Sequence, residues 1–151
     1  MRDILFRGKK YKTSAFDETD WAYGSLIDSG NHEQVAIYPW VNGASTMSVK
    51  QLVYARMEAV DPETVGQYTG MTDSNGKKIF EGDIVVLNKD VKEIFDVDDG
   101  EIRYGWGGFY VKEFSSLNSL NVLSYYDGSG LRGEVIGNIH DNPELLRMAK
   151  N

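Results

Sequence analysis

The sequence predicts a mainly β protein: an antiparallel meander, then a partly open β-barrel core, closed by a short C-terminal helix. Three observations lead there. Residues 64–86, TVGQYTGMTDSNGKKIFEGDIVV, read as two short strands around a tight turn, then a Glu81-Gly82-Asp83 corner that launches the β-branched run Ile84-Val85-Val86. Sixteen glycines against three prolines suit a chain of many turns and strands. Short apolar–polar alternations recur along most of the length.

In chain order, Asp3 to Arg7 alternates around Ile4 and Phe6 and predicts a first strand ending at Gly8. Trp21 to Ile27 predicts a second, with Trp21, Tyr23 and Ser25 on one face and Ala22, Gly24 and Leu26 on the other. Asp28-Ser29-Gly30-Asn31 is a turn signal, and Glu33 to Tyr38 returns as a third strand with Val35 and Ile37 on one face. Pro39 to Ser48 reads as a loop. Lys50 to Val60 fits both a helical and an alternating pattern, and the alternation inclines the reading to strand until Asp61-Pro62 ends it.

Val65 to Met71, Lys77 to Phe80 and Asp83 to Leu87 predict three further strands, the first two joined by Asp73-Ser74-Asn75-Gly76. Asn88 to Asp99 reads as an acidic segment anchored by Ile94, Phe95 and Val97, with a hairpin turn at Asp98-Asp99-Gly100. Glu101 to Tyr104 and Phe109 to Glu113 flank a Gly105-Trp106-Gly107-Gly108 corner. Leu117, Leu120 and Leu123 suggest a helical turn, and Leu131 to Ile139 a last strand with Val135, Gly137 and Ile139 on one face. Asn142 is placed to cap the closing helix, Pro143 to begin it and Lys150 to end it, with Leu145, Leu146 and Met148 docking on the barrel. The expected division is residues 1–60, an N-terminal β subdomain, and 61–151, the barrel-like core with its helix.

A chain of 151 residues with 41% hydrophobic and 12% aromatic content can bury a respectable core. It has no apolar run of about 18 residues, the length a membrane helix needs. Nor do its first residues look like a signal peptide, so a cytoplasmic protein is expected. The lack of cysteine fits that and excludes disulfides, thiolate metal sites and cysteine nucleophiles. A net charge of −7 disfavours binding to phosphate backbones, which draws on clustered Lys and Arg. A local basic face from Arg2, Arg7, Lys9 and Lys10 keeps nucleic-acid binding as an alternative.

The candidate chemistry is thin. Glu81 and Asp83 would share a face of an extended strand and suit a divalent cation, the basis of a lower alternative, a metal-dependent hydrolase. Beside a glycine corner such carboxylates more commonly accept backbone N–H bonds. Asp96, Asp98, Asp99 and Glu101 fail the calcium-loop pattern, because Gly100 comes fifth and Gly107 occupies the twelfth place. His32 and His140 lie far apart, with no nucleophile elbow near either. No catalytic residue, metal site or cofactor is assigned. Trp106, Phe109 and Tyr110 offer a possible interaction surface, unless they plug the core.

Three blocks of residues resemble the YopX-like proteins of bacteriophages and prophages. The first is Met1 to Gly8 with Trp21 to Leu26; the second runs from Val60 through Thr64, Gly66, Tyr68, Gly70, Asp73, Gly76 and Glu81-Gly82-Asp83 to Val85. The third is Gly133 to Leu146, including Gly137, Asn138, Asp141 and Asn142. The resemblance implies a mainly β fold with a barrel-like core in a phage or prophage protein, and it implies no catalytic residues. These motif residues are therefore expected to be structural. With no reaction centre apparent, the expected function is a non-enzymatic accessory module that self-associates as a homo-oligomer or binds a phage or host protein.

Overall fold

The structure, a computed structural model, describes residues 1–11, 21–40, 45–112, 117–119, 123–125 and 128–148. It is mainly β, with antiparallel strands in two sheets, and it divides into two compact units, Met1–Gln67 and Tyr68–Asn151.

The first unit is the expected meander. Strand β1 (Phe6–Lys9) pairs with β2 (Trp21–Asp28), β2 with β3 (Val35–Pro39), and β3 with β4 (Glu58–Val60), all antiparallel. β1 begins later than the sequence suggested, while β2 and β3 lie where they were expected. The end of β1 comes back to β4: Lys10 bridges Val60, and the Asp61 N–H donates to the Lys9 carbonyl at 2.9 Å. Ala22, Val35, Ile37 and Val60 form the core of this unit, with Phe6, Leu26 and Val65 packed on it. Gly8 lies so close to Val60 that an added Cβ would stand 2.7 Å from its Cγ2, so only glycine fits there.

Residues 50–60 correct the strand reading. Helix α1 (Val49–Arg56) comes first, and only Glu58–Val60 is extended. The deciding feature is local. Ser48 and Gln51 form a reciprocal capping box, each side chain accepting from the other's backbone N–H.

Strand β5 (Gly66–Thr72) starts in the first unit, with Gly66 opposite Arg7, and from Tyr68 onward pairs with β6 (Lys78–Phe80). In the second unit a sheet runs in the order β10-β9-β8-β7-β11, from β7 (Asp83–Leu87), β8 (Asp99–Gly105), β9 (Gly108–Lys112), β10 (Leu117–Ser119) and β11 (Gly133–Asn138). β7 lies inside it and is buried along most of its length, as its β-branched run requires. Ile79, Val85, Leu87, Ile102, Val111 and Leu131 lead the core, joined by Val91 and Val97. Among the described residues the ladder does not close into a barrel: β10 and β11 stand at its two edges.

Several expectations change here. Residues 89–95 form helix α2 (Lys89–Phe95), which buries Val91 and ends at Asp96 in the left-handed region; Ile94 is exposed rather than an anchor. Asp99 and Gly100 pair with Val86 and Val85 inside β8, so the hairpin turn expected at 98–100 is absent, α2 making the connection instead. Leu117–Ser119 is a strand paired with β9 rather than helical, and the rest of that expected turn at 115–116 and 120–122 lies outside the described residues. In β11 the register shifts between Val135 and Gly137, so Val135 faces Val85 but Gly137 faces Ile84, its chain neighbour; Ile136 bulges out. The strict alternation expected through Gly137 is thereby broken. Among the described residues the closing helix is α3 (Leu145–Met148), which begins later than a start at Pro143 would have it; Lys150 lies outside the described residues.

Candidate interaction surface

The motif residues act within the chain. The Asp73 carboxylate, 5% exposed, accepts from the Asn75 and Lys77 N–H groups through Oδ1, both at 2.9 Å, and from the Val135 N–H through Oδ2 at 3.0 Å. One side chain thus shapes the β5–β6 turn and ties it to β11. Gly76 completes that turn at φ +80°, donating to the Asp73 carbonyl at 3.0 Å. Gly70, at φ +85°, marks the irregularity in the β5–β6 register. The Gly82 N–H reaches the Ile102 carbonyl, and the Gly82 carbonyl takes the Ile139 N–H, each at 2.9 Å.

Asp83, 1% exposed, accepts the Phe80 N–H at 2.8 Å, which fixes the corner between β6 and β7. Glu81-Gly82 forms the turn itself, so the shared strand face that motivated a cation site does not exist. In the closing block, Asn138 Oδ1 accepts from the His140 and Asp141 N–H groups, and its amide donates to Asp141 at 2.9 Å. Asn142 turns its side-chain oxygen back to the Asn138 N–H at 3.3 Å rather than capping α3. A Cβ on Gly137 would stand 2.5 Å from that oxygen. Thr64 accepts the Lys9 N–H at 2.8 Å and donates to the Asp61 carbonyl at 2.7 Å. Tyr68 stacks at a tilt on Phe80, their centroids 5.6 Å apart.

Of the basic stretch, Arg7 is 5% exposed, with its guanidinium 4.8 Å from the centroid of the Trp21 ring. It serves the sheet rather than a surface. His32 sits at φ +61° in the β2–β3 turn, bonded through Nδ1 to Asp28. The Gly30 N–H, then the His32 contacts, hold the Asp28 carboxyl below its usual value of 3.8.

The β8–β9 hairpin behaves differently. Gly105 pairs with Gly108, leaving Trp106 and Gly107 as a two-residue turn with φ +49° and +79°. Positive φ at both centres is what a type I′ turn demands, and it matches the twist of the flanking strands. Asn-Gly is the usual choice there; this chain uses Trp-Gly. Trp106 is 84% exposed and leans on Tyr110, with ring centroids 5.4 Å apart.

On the opposite face, Tyr104 and Phe109 pair edge to face at 5.1 Å. That face continues the buried Ile102–Val111 pair, and Phe109 packs on the core. The expected trio therefore divides: Trp106 and Tyr110 lie together on one face, Phe109 on the other. Tyr104, itself 56% exposed, was missed, although it lies two residues beyond the buried Ile102 and so shares its face. Beside Tyr110, Arg103 bonds Glu101 at 2.9 Å, and that hydrogen bond raises the guanidinium above its ordinary value.

Comparison with known proteins places this geometry in context. The YopX protein family matches residues 7–147. Among solved structures the chain is similar to that described as "Crystal structure of protein EF1440 from Enterococcus faecalis", at 26% identity and a TM-score of 0.55. The similarity covers 95% of this chain and 96% of that one. No curated protein matches the chain.

Proposed function

The chain belongs to the YopX family, and from that premise we propose a phage or prophage accessory protein that works by binding another protein, without catalysis, through the aromatic end of its β8–β9 hairpin. One observation carries this: Trp106 stands 84% exposed at positive φ. A left-handed conformation costs a bulky L-residue about 1–2 kcal/mol. Among the described residues the ring against it is Tyr110, and such a contact contributes about 0.5–1.5 kcal/mol. Burying an exposed ring of this size against a partner would contribute more. Tryptophan, tyrosine and arginine are also the residues that dominate protein–protein contacts, and Trp106, Tyr110 and Arg103 present all three.

The other readings gain less. Arg7 is buried, so the basic stretch offers fewer cations to a nucleic acid than its sequence suggests. The Asp83 carboxylate already holds a backbone N–H, which works against a hydrolytic centre built on Glu81 and Asp83.

The second unit is read as a partly open barrel. The support is a seam: the Leu131 N–H donates to the Thr72 carbonyl at 2.8 Å, and the Arg132 N–H to the Leu123 carbonyl at 3.1 Å, so residues 131–132 connect β5 to residue 123. Leu145 lies over Gly137, as a docking helix would. The bacterial cytoplasm is the proposed location. Among the described residues no helix is long and apolar enough to cross a membrane.

The test compares wild type, Trp106→Ala and Trp40→Ala as baits in extracts of a bacterial host. A partner retained by wild type and Trp40→Ala, but lost by Trp106→Ala, is then purified and titrated. Its affinity should fall about 30-fold on Trp106→Ala, the effect of one interface anchor. An unchanged affinity removes the proposal.

A further inference from the structure

Helix α1 poses a problem of its own. It has eight residues, is about 12 Å long, and buries none of them. A helix that short does not persist in water on propensity alone, and in proteins an apolar face packed on something holds it. Val49, Val53 and Met57 recur at intervals of four along one side, with Tyr54 beside them 82% exposed. Around Val53, Tyr54 and Met57 the surface is concave, a hollow of about 520 Å³. A second hollow of about 520 Å³ lies in the same unit, lined by Ile27, Ala36, Ala59 and Met57 and flanked by Asp28 and Glu33. Met57 belongs to both.

Charge decides what fits. Helix Val49–Arg56 carries Lys50 and Arg56 and no acidic residue, in a chain whose net charge is −7. The second hollow is edged by two carboxylates, and the hydrogen bonds at Asp28 keep its own group ionised. Two copies approaching at random repel each other, whereas basic α1 meeting the acid-edged hollow attracts. Because the two surfaces adjoin at Met57, each copy can offer and receive at once, as a two-fold contact requires.

We propose that a second copy of this chain docks here, α1 of each copy seated in the hollow lined by Ile27, Ala36 and Ala59 of the other, with Lys50 and Arg56 near Asp28 and Glu33. This contact lies in the first unit and does not depend on the hairpin.

The chain has no cysteine, so introduced thiols report cleanly. Tyr54→Cys and Ala36→Cys proteins, mixed and mildly oxidised, should form a mixed disulfide-linked dimer, while Tyr54→Cys mixed with Lys77→Cys should not. Light scattering on the unmodified chain should show mass rising towards twice the monomer with concentration. Tyr54→Glu should weaken association about 30-fold, and Trp106→Ala should leave it unchanged. Lys50→Glu should weaken it too, with affinity recovered on mixing with Glu33→Lys. Because Tyr54 and Lys50 are exposed, circular dichroism of these variants should match wild type. A strict monomer up to about 200 μM, in a range where weak dimers are populated, overturns the proposal. So does a dimer indifferent to Tyr54→Glu and Lys50→Glu.

Discussion

The turn at Asp73–Gly76 and the turn at Trp106–Gly107 each reverse an antiparallel pair in the second unit, and their side chains go opposite ways. Asp73 points inward and collects three backbone N–H groups, one from β11, more than sixty residues away. Trp106 points outward, leans on the Tyr110 ring and is 84% exposed. The first turn supplies cohesion. The second accepts a backbone conformation unfavourable to tryptophan and gains little from the chain in return. The residues that carry the family resemblance cluster at the first kind of place; the surface proposed to bind lies at the second.

That contrast can be broken in several ways. Asp73→Ala should be the most damaging change, costing about 3 kcal/mol or more, because it strands N–H donors in a buried turn. Urea unfolding would show it, and a loss below about 1 kcal/mol would mean the turn is held by something else. Gly137→Ala should cost about 1–3 kcal/mol, since the new methyl must displace the Asn142 side chain. A crystal structure or amide exchange of residues 137–142 would locate the disturbance.

Trp106→Asn should run the other way. It creates the preferred Asn-Gly pair, so stability should hold or rise by up to about 1 kcal/mol while partner binding is lost. Destabilisation by that change would show that Trp106 serves the fold after all.

The smallest effect concerns the β2–β3 turn. The Asp28 carboxyl is held below 3.8, chiefly by the Gly30 N–H, so its contribution to the turn is present above 3.8 and disappears as pH falls through the lowered value. An NMR titration should find that carboxyl ionising below 3.8, with residues 29–33 loosening under acid. Ionisation at or above 3.8 would remove the cap from the account.

Much of the fold was legible. Strands β2, β3, β5, β6 and β7 follow alternation or β-branched runs bounded by turn residues, signals that lie within a few positions of each other. The errors have two causes, one local and one tertiary. Residues 50–56 satisfied both periods, and a capping box too short-range to appear in either tipped them to helix. Asp98-Asp99-Gly100 looks like a turn in isolation but is drawn into β8 by pairing with β7. The alternation through Gly137 fails because one bulged residue inverts every face beyond it. Of the proposed surface, the aromatic residues were visible in the sequence, yet nothing there could say that Phe109 faces the core and Trp106 faces solvent.

The amino-acid order alone settled that this chain is built from short antiparallel strands, that it resembles one family, and where most reversals fall, because these rest on local backbone preferences and side-chain spacing. Tertiary structure decided the rest. Only strand pairing could bury Asp73 under an N–H from residue 135, take Arg7 out of solvent, and leave Trp106 and Tyr54 standing clear. Burial is a property of what comes to lie opposite a residue, and that neighbour is usually far away along the chain.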